Sequence, residues 1–385
     1  MKLSATLPFA LTTISLALLS GSAMADVKIG INVPLTGFAA ADGKSALDGA
    51  KLAVAQANAK GGVNGEKIDM VVYDDQASPK EAVPAAIKLI EKDKVVGAVS
   101  GSYSGSTRAA SAVFQAAQVP YVVSYAIHPD ITRSGDFMFR VSAMGEVQGR
   151  GGAKLVSNLG KKKVVLITLK NDFGQSLAAG FKEGATKFGL NIAGEHEYSI
   201  QDRQFGALVS AVKAQEPEVI YASGYFYTAG PLVNQLRAAG VTATIIGQEG
   251  YDSEKFMEIA GAASEGVLIT TSLDRDSANP ATKAFLSDFK AANNNAGADM
   301  VAAATYTATQ VLIDGLRKSS GKGGAALRDA IAAGSYDSAI GKLTFNDLHE
   351  VNKDLQVQVV KDKSFRRHSV ISDAVLLAAP TKASK

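Results

Sequence analysis

The chain has 385 residues, of which 46% are hydrophobic and 20% are charged. This composition excludes intrinsic disorder and is typical of a globular protein with enough chain for two domains. The formal net charge is only +3 and the longest basic run is Lys161-Lys162-Lys163, so a nucleic-acid-binding surface is not expected. The absence of cysteine excludes disulfide bonds, thiolate metal sites and lipid attachment through a cysteine.

The first 25 residues have the pattern of a secretory signal peptide. Lys2 supplies the positive charge, an apolar run covers 7–19, and the Ala-Met-Ala sequence at 23–25 matches the A-x-A cleavage pattern. The apolar run is short for a membrane-spanning helix. We therefore predict cleavage after Ala25 and a mature protein located in the periplasm.

From residue 26 onward, short apolar runs alternate with amphipathic stretches of helical length. In chain order, the first half is predicted to contain a strand at 27–33, a helix at 46–59, a strand at 68–73, a helix at 79–93, a strand at 95–100, a helix at 107–118 and a strand at 121–124. The second half is predicted to contain a strand at 163–169, a helix at 175–188, a strand at 192–198, a helix at 205–215, a strand at 219–222, a helix at 229–239, strands at 244–246 and 267–271, and helices at 280–293 and 302–318. Strands that alternate with helices indicate parallel sheets covered by helices, and the restart near residue 163 predicts two lobes.

Ligands of such sheets bind in the loops beyond the carboxyl ends of the strands. The loop at 101–107 offers hydroxyls and a helix N-terminus, which suit an anion or serve only as helix caps. The loop at 224–227 carries three aromatic residues, which either wall a ligand or pack beneath the next helix. Glu249 follows a third strand and either meets an ammonium group or is an ordinary loop residue. Asp172, after a fourth strand, either binds or caps the next helix.

Catalytic patterns are missing from the sequence. The four histidines, His128, His196, His349 and His368, are scattered without metal-binding spacing, and neither an H-E-x-x-H nor a G-x-S-x-G sequence is present. We therefore predict a protein that is not an enzyme and that needs no metal and no cofactor.

Nine short motifs occur along the chain. None of them is specific alone, but their order and spacing together are. They are Pro-Leu-Thr-Gly at 34–37, Asn-Ala-Lys-Gly-Gly-Val-Asn-Gly at 58–65, Tyr-Asp-Asp at 73–75, Ser-Gly-Ser-Thr at 104–107, Phe-Gly at 173–174, Gly-Tyr at 224–225, Glu-Gly at 249–250, Ile-Ala-Gly at 259–261 and Glu-Gly at 265–266. With them, residues from about 26 to about 360 resemble the leucine/isoleucine/valine-binding proteins, which are type I periplasmic solute-binding proteins of ABC importers.

This resemblance implies an α/β fold of two Rossmann-like lobes with parallel central sheets, joined by a three-segment hinge. The implied N-lobe comprises 26–143 and 274–346, and the implied C-lobe comprises 144–273 and 347–385. The crossings between lobes are expected near 141–146, 271–275 and 345–351. The segment 361–385 extends past the resemblance, and its basic, small-residue ending is expected to fray.

The resemblance also implies a set of ligand-binding residues. Ser104 and the backbone near Ala126 would hold a ligand carboxylate, Glu249 would hold its ammonium, and Phe173 and Tyr225 would wall it. Ser106, Tyr125 and His128 stand beside these positions and complete the predicted site.

The chain departs from the family pattern at five places. Ala77 and Tyr103 stand where family members often carry a disulfide, whereas Asp42, Gly145 and the Ile127-His128 region affect the ammonium and side-chain ends of the ligand. The implied function is the binding of an amino acid, branched-chain or related, by hinged closure and its delivery to an ABC-type permease by a monomeric protein. Two alternatives remain open: a carrier of aromatic acids or keto acids, and a ligand sensor that acts through a membrane receptor.

Overall fold

The computed structural model describes residues 26–384, and the predicted signal peptide at 1–25 lies outside the described residues. The strands are β1 (Val27–Val33), β2 (Ile68–Asp74), β3 (Gly97–Ser100), β4 (Tyr121–Val123), β5 (Met138–Arg140), β6 (Lys163–Leu169), β7 (Asn191–Tyr198), β8 (Val219–Ala222), β9 (Thr244–Gly247), β10 (Leu268–Thr271), β11 (Ser335–Ser338), β12 (Gly341–Thr344), β13 (Leu355–Lys361) and β14 (Ser364–Ile371). The α-helices are α1 (Ala40–Ala59), α2 (Pro79–Ile87), α3 (Ser104–Ala116), α4 (Asp130–Arg133), α5 (Gly145–Asn158), α6 (Asp172–Phe188), α7 (Gly206–Ala214), α8 (Phe226–Ala238), α9 (Glu254–Ala260), α10 (Pro280–Ala292), α11 (Met300–Lys318) and α12 (Gly324–Ala332).

These elements build two lobes, each around its own sheet. The first sheet is entirely parallel, in the order β2-β1-β3-β4-β5. The second sheet has seven strands in the order β14-β13-β10-β9-β8-β6-β7. Strands such as β3 and β8 are buried along their whole length, which explains their continuous apolar sequence, because helices cover both faces of a parallel sheet. The prediction of two α/β lobes is confirmed.

The chain passes between the two sheets three times. It leaves the first sheet after β5, returns to the first lobe after β10, where α11 packs against α1, and re-enters the second sheet at β13. The last of these passages also pairs with the end of β5, since the Arg140 N–H donates to the His349 carbonyl at 3.1 Å. The carboxyl ends of both sets of strands are thereby held near the connections between the lobes.

The C-terminal part of the chain adds an antiparallel edge to the predicted parallel sheet, and it is more ordered than expected. The second sheet is not purely parallel, because β13 runs antiparallel to β10 and to β14. The segment after 361 does not fray: β14 forms the edge of the sheet, and the side chains of Leu376 and Leu377 are buried in the core of the second lobe. Burial of these two leucines provides the packing that a basic, small-residue tail was expected to lack.

Helix α5 was not predicted, because four of its fourteen residues are glycines, which disfavour helix. The glycines serve close packing against α6. A Cβ atom at Gly149 would lie 2.3 Å from the Leu177 carbonyl oxygen, so no other residue fits there without moving the helix. In the described part of the chain, none of the helices is both long enough and apolar enough to cross a membrane.

Candidate functional site

A small cavity of about 10 Å³ lies between the two lobes, beyond the carboxyl ends of their strands. The first lobe contributes the residues Asp42, Tyr103, Ser104, Tyr125, Met300 and Val301. The second lobe contributes the residues Phe173, Tyr225, Glu249 and Gly250. Known small-molecule sites start at about 300 Å³, so the lobes have to part and the aromatic rings move aside before a molecule of amino-acid size fits between these residues.

Ser104 is the first residue of α3, directly after the loop that follows β3. It is buried, and its Oγ accepts a hydrogen bond at 3.1 Å from the Ile127 N–H. The first N–H groups of a helix have no intrahelical acceptor and carry partial positive charge. The α3 N-terminus therefore gives one end of the cavity an affinity for negative charge.

Aromatic rings from both lobes meet across the cavity. The rings of Tyr103 and Tyr225 stack with centroids 4.0 Å apart and planes only 4° from parallel. Phe173 also stacks on Tyr225, with 4.8 Å between the ring centroids, and Tyr125 packs edge-on to Tyr103 at 6.3 Å. The Tyr125 hydroxyl is engaged, since it donates to the Gly101 carbonyl at 2.6 Å. These rings form apolar walls with a fixed orientation.

Glu249 begins a short 3-10 helix, Glu249–Tyr251, directly after β9. Its carboxylate is buried, and it accepts hydrogen bonds from Gln148 Nε2 at 3.0 Å and from Ser272 Oγ at 3.5 Å. Burial raises the pKa of Glu249 to about 7, although the Gln148 hydrogen bond and the positive charge of Lys353 favour the ionised form. The carboxyl group is thus placed to gain much from a cationic partner.

Asp42, on the first turn of α1, is a second buried carboxyl group in the same cavity. It accepts a hydrogen bond of 2.6 Å from the Tyr103 hydroxyl. Burial, together with the negative charges of Asp299 and Asp252, raises its pKa to about 7, although the Tyr103 hydrogen bond favours the ionised form. The sequence singled out Asp42 as a departure from the family pattern at a position near the ligand side chain, and the fold brings it to the cavity.

Five of the eight predicted site residues line the cavity: Ser104, Tyr125, Phe173, Tyr225 and Glu249. The other three are not among the residues that line it.

Ala126 is buried, its carbonyl accepts from Arg140 Nη1 at 3.1 Å, and its N–H donates to none of the described residues. Ser106 is buried on α3, and its Oγ has no partner among the described residues. His128 lies beside Asp130, with 3.8 Å between its Nδ1 and the Asp130 Oδ2, and burial lowers its pKa.

Met300 and Val301 were missed as lining residues. They lie far along the chain at the start of α11, where Asp299 caps the helix by accepting from the Ala302 N–H at 2.8 Å. Only the return of the chain to the first lobe brings them to the cavity. Across residues 26–384, no three histidine, aspartate or glutamate side chains come together as a possible metal site.

Comparison with known proteins agrees with this architecture. A family model described as "Periplasmic binding protein" matches residues 26–364. The Leu/Ile/Val-binding protein homolog 3 of Brucella melitensis is 34% identical over 358 residues, which cover 91% of this chain and 95% of the relative.

Two solved structures of similar fold extend the comparison. The leucine-binding protein LivK from Thermotoga maritima has a TM-score of 0.85 at 27% identity and covers 90% of this chain and 98% of its own. LivJ from Streptococcus pneumoniae, solved with isoleucine, has a TM-score of 0.83 at 27% identity, with 90% and 99% covered. The chain therefore belongs to the periplasmic binding protein family, in its Leu/Ile/Val-binding branch.

Proposed function

We propose that this protein is the solute-binding component of an ABC-type amino-acid importer, which captures its ligand between the two lobes by hinged closure. The observation that carries the proposal is the cavity between the lobes, with a helix N-terminus at Ser104 on one side and the buried carboxyl of Glu249 on the other. A zwitterion enclosed in such a cavity needs a partner for each of its charges, because desolvation otherwise cancels binding.

In this proposal the ligand carboxylate contacts Ser104 Oγ and the free N–H of Ala126. The ligand ammonium contacts Glu249, and the rings of Phe173 and Tyr225 cover its carbon atoms. The relatives are solute-binding proteins rather than enzymes, and we propose that this protein likewise binds its ligand without catalysis. We propose the lobe boundaries predicted from the sequence, with the N-lobe at 26–143 and 274–346 and the C-lobe at 144–273 and 347–385.

The test is a ligand screen by thermal shift followed by titration calorimetry. We expect an amino acid to raise the melting temperature, and Glu249→Ala to weaken its binding by at least about tenfold, because an enclosed charged hydrogen bond contributes about 1.5–3 kcal/mol. Glu258→Ala, an exposed acid on α9, is the matched control and leaves the affinity unchanged. An unaltered affinity of Glu249→Ala removes Glu249 from the site.

A carrier of aromatic acids is the second candidate, and the stacked rings of Tyr103, Tyr225 and Phe173 favour it. Such a ligand lacks an ammonium group, so its affinity would not depend on an ionised Glu249. Amino acids and their deaminated keto acids, screened side by side on the wild type and on Glu249→Ala, separate the two candidates.

The proposed location is the periplasm, after removal of the predicted signal peptide. The proposed partner is an ABC-type permease that recognises the closed lobes, with the binding protein acting as a monomer. The alternative, a ligand sensor that acts through a membrane receptor, would use the same closure of the lobes. Binding of the ligand-bound protein to a detergent-solubilised permease distinguishes transport from sensing.

A further inference from the structure

The wall of the cavity that α1 and α11 contribute is not purely apolar. Asp42 is only 5% exposed and lines the cavity together with Tyr103, Met300 and Val301. A carboxylate accepts up to about four hydrogen bonds. The hydrogen bond from the Tyr103 hydroxyl accounts for one, and no second donor to this carboxylate is present among the described residues.

The charges around Asp42 are also one-sided. The residues of the described chain that line the cavity include two carboxyl groups, Asp42 and Glu249, and no lysine, arginine or histidine. The charged groups of neighbouring elements that act on Asp42 are two further acids, Asp299 and Asp252. Arg275 is engaged with Asp252 in an ion pair and does not compensate Asp42.

Glu249 and the N-terminus of α3 suffice for the two charges of an α-amino acid backbone. Asp42 is then in excess, and a ligand with an aliphatic side chain would leave a buried carboxyl against methyl groups. A buried polar group without a partner costs free energy, whereas a donor supplied by the ligand would satisfy it.

We propose that Asp42 is a specificity-determining residue, which selects amino acids whose side chain carries a hydrogen-bond donor, such as a hydroxyl or an ammonium group. This inference rests on the proposed amino-acid binding and names the ligand class of the same site. Sites that hydrogen-bond a polar group of the ligand reject analogues without that group far more strongly than apolar pockets reject an extra methyl group.

Calorimetry with two matched ligand pairs tests the inference on the mature protein. Threonine and valine differ by a hydroxyl in place of a methyl, and lysine and norleucine differ by the terminal ammonium. We expect the donor-bearing member of at least one pair to bind tenfold or more tightly than its apolar partner. The pair that responds tells whether the side-chain donor is neutral or cationic.

Asp42→Leu is expected to abolish this preference while valine or norleucine still binds. Asp42→Asn keeps the size of the side chain and reduces any preference for lysine, so it provides the answer if the leucine variant does not fold. Asp48→Asn removes an acid from the same helix outside the cavity and leaves every ratio unchanged.

Two outcomes overturn the inference. If the apolar member of both pairs binds as well or better, the cavity has no donor-selective wall although the amino-acid function stands. If the preference is present but survives in Asp42→Leu and Asp42→Asn, Asp42 only positions Tyr103. If no amino acid binds at all, the proposed function fails as well, and that result is distinct from the first two.

Discussion

Glu249 has a buried carboxyl group whose direct hydrogen-bond donors, Gln148 and Ser272, are both neutral. Neutral donors lower the cost of burying a negative charge but do not remove it. The pKa of about 7 reflects this balance, since burial is the largest influence on the group. A ligand ammonium would shift the group to the ionised form, and binding near neutral pH would then release a proton.

The affinity for an amino acid should therefore depend on pH in a defined direction. The contribution of Glu249 is present above pH 7 and is lost as the pH falls below it, by up to about tenfold for each pH unit. Calorimetry between pH 8 and pH 5.5 measures this slope. Glu249→Gln reduces it, whereas Glu258→Gln, on the exposed side of α9, does not. A flat profile of the wild type would contradict an ionic role for Glu249.

The sequence placed several cavity residues well because their position depends on a simple rule. Ser104, Phe173, Tyr225 and Glu249 each follow a strand, and parallel strands bring such residues to one edge of a sheet. Asp42 did not follow from this rule. It lies within the first turn of a helix, where an acid is equally typical of an exposed N-terminal turn.

At the scale of elements, the loop after β4 is held in place by contacts with the third connection between the lobes. Arg140 at the end of β5 pairs with Glu350, and both side chains are buried. The same guanidinium donates from Nη1 to the carbonyls of Ala126 at 3.1 Å and His128 at 2.9 Å. Thr132 on α4 joins the group through hydrogen bonds to both partners. This ion pair therefore links one wall of the cleft to an interlobe connection.

Removing one member of this pair should be costly. Glu350→Ala leaves a buried guanidinium without its counter-charge, and we expect the free energy of unfolding to fall by about 3–5 kcal/mol. Urea denaturation of the single variants and of the double variant Arg140→Met/Glu350→Leu measures it. The double variant should be more stable than Glu350→Ala, because it leaves no unpaired charge. A loss of less than 1 kcal/mol in Glu350→Ala would contradict the role of the pair.

Most βα units were predictable, whereas the C-terminal hairpin was not. The unit from β6 to α8 shows a clear alternation of apolar runs and amphipathic stretches. In contrast, β14 is exposed at five of its eight positions, so few apolar residues mark it as a strand. Its turn at Asp362 and Lys363 has positive φ angles of 51° and 57°. An Asp-Lys pair does not predict such a turn, whereas Asn-Gly or Asp-Gly would.

At the scale of the whole molecule, ion pairs between the lobes add to the contacts around the cavity. Arg108 on α3 approaches Asp172 on α6, with 2.9 Å between Nε and Oδ2. Arg108 is also 3.4 Å from Asp130 within its own lobe. The Arg108 side chain is 45% exposed, so the pair contributes modestly and is screened by salt.

Arg108→Met should therefore favour the open form slightly. We expect ligand affinity to fall by no more than about fivefold, which corresponds to about 1 kcal/mol for an exposed pair, through faster dissociation. Stopped-flow measurements at low and high salt check this, and the difference from the wild type should vanish at high salt. Lys255→Met, which removes an ion pair within α9, is the control. Equal dissociation rates at low salt would show that this pair does not hold the lobes together.

The stack of Tyr103 on Tyr225 joins one ring from each lobe, with 4.0 Å between centroids. Two aromatic chromophores at this separation couple electronically, and the coupling ends once a rotation of the lobes parts them. The chain contains no tryptophan, so no indole emission or absorption overlies that of its tyrosines. Near-ultraviolet circular dichroism of the unlabelled protein thus carries an intrinsic optical signal of whether the cleft is shut.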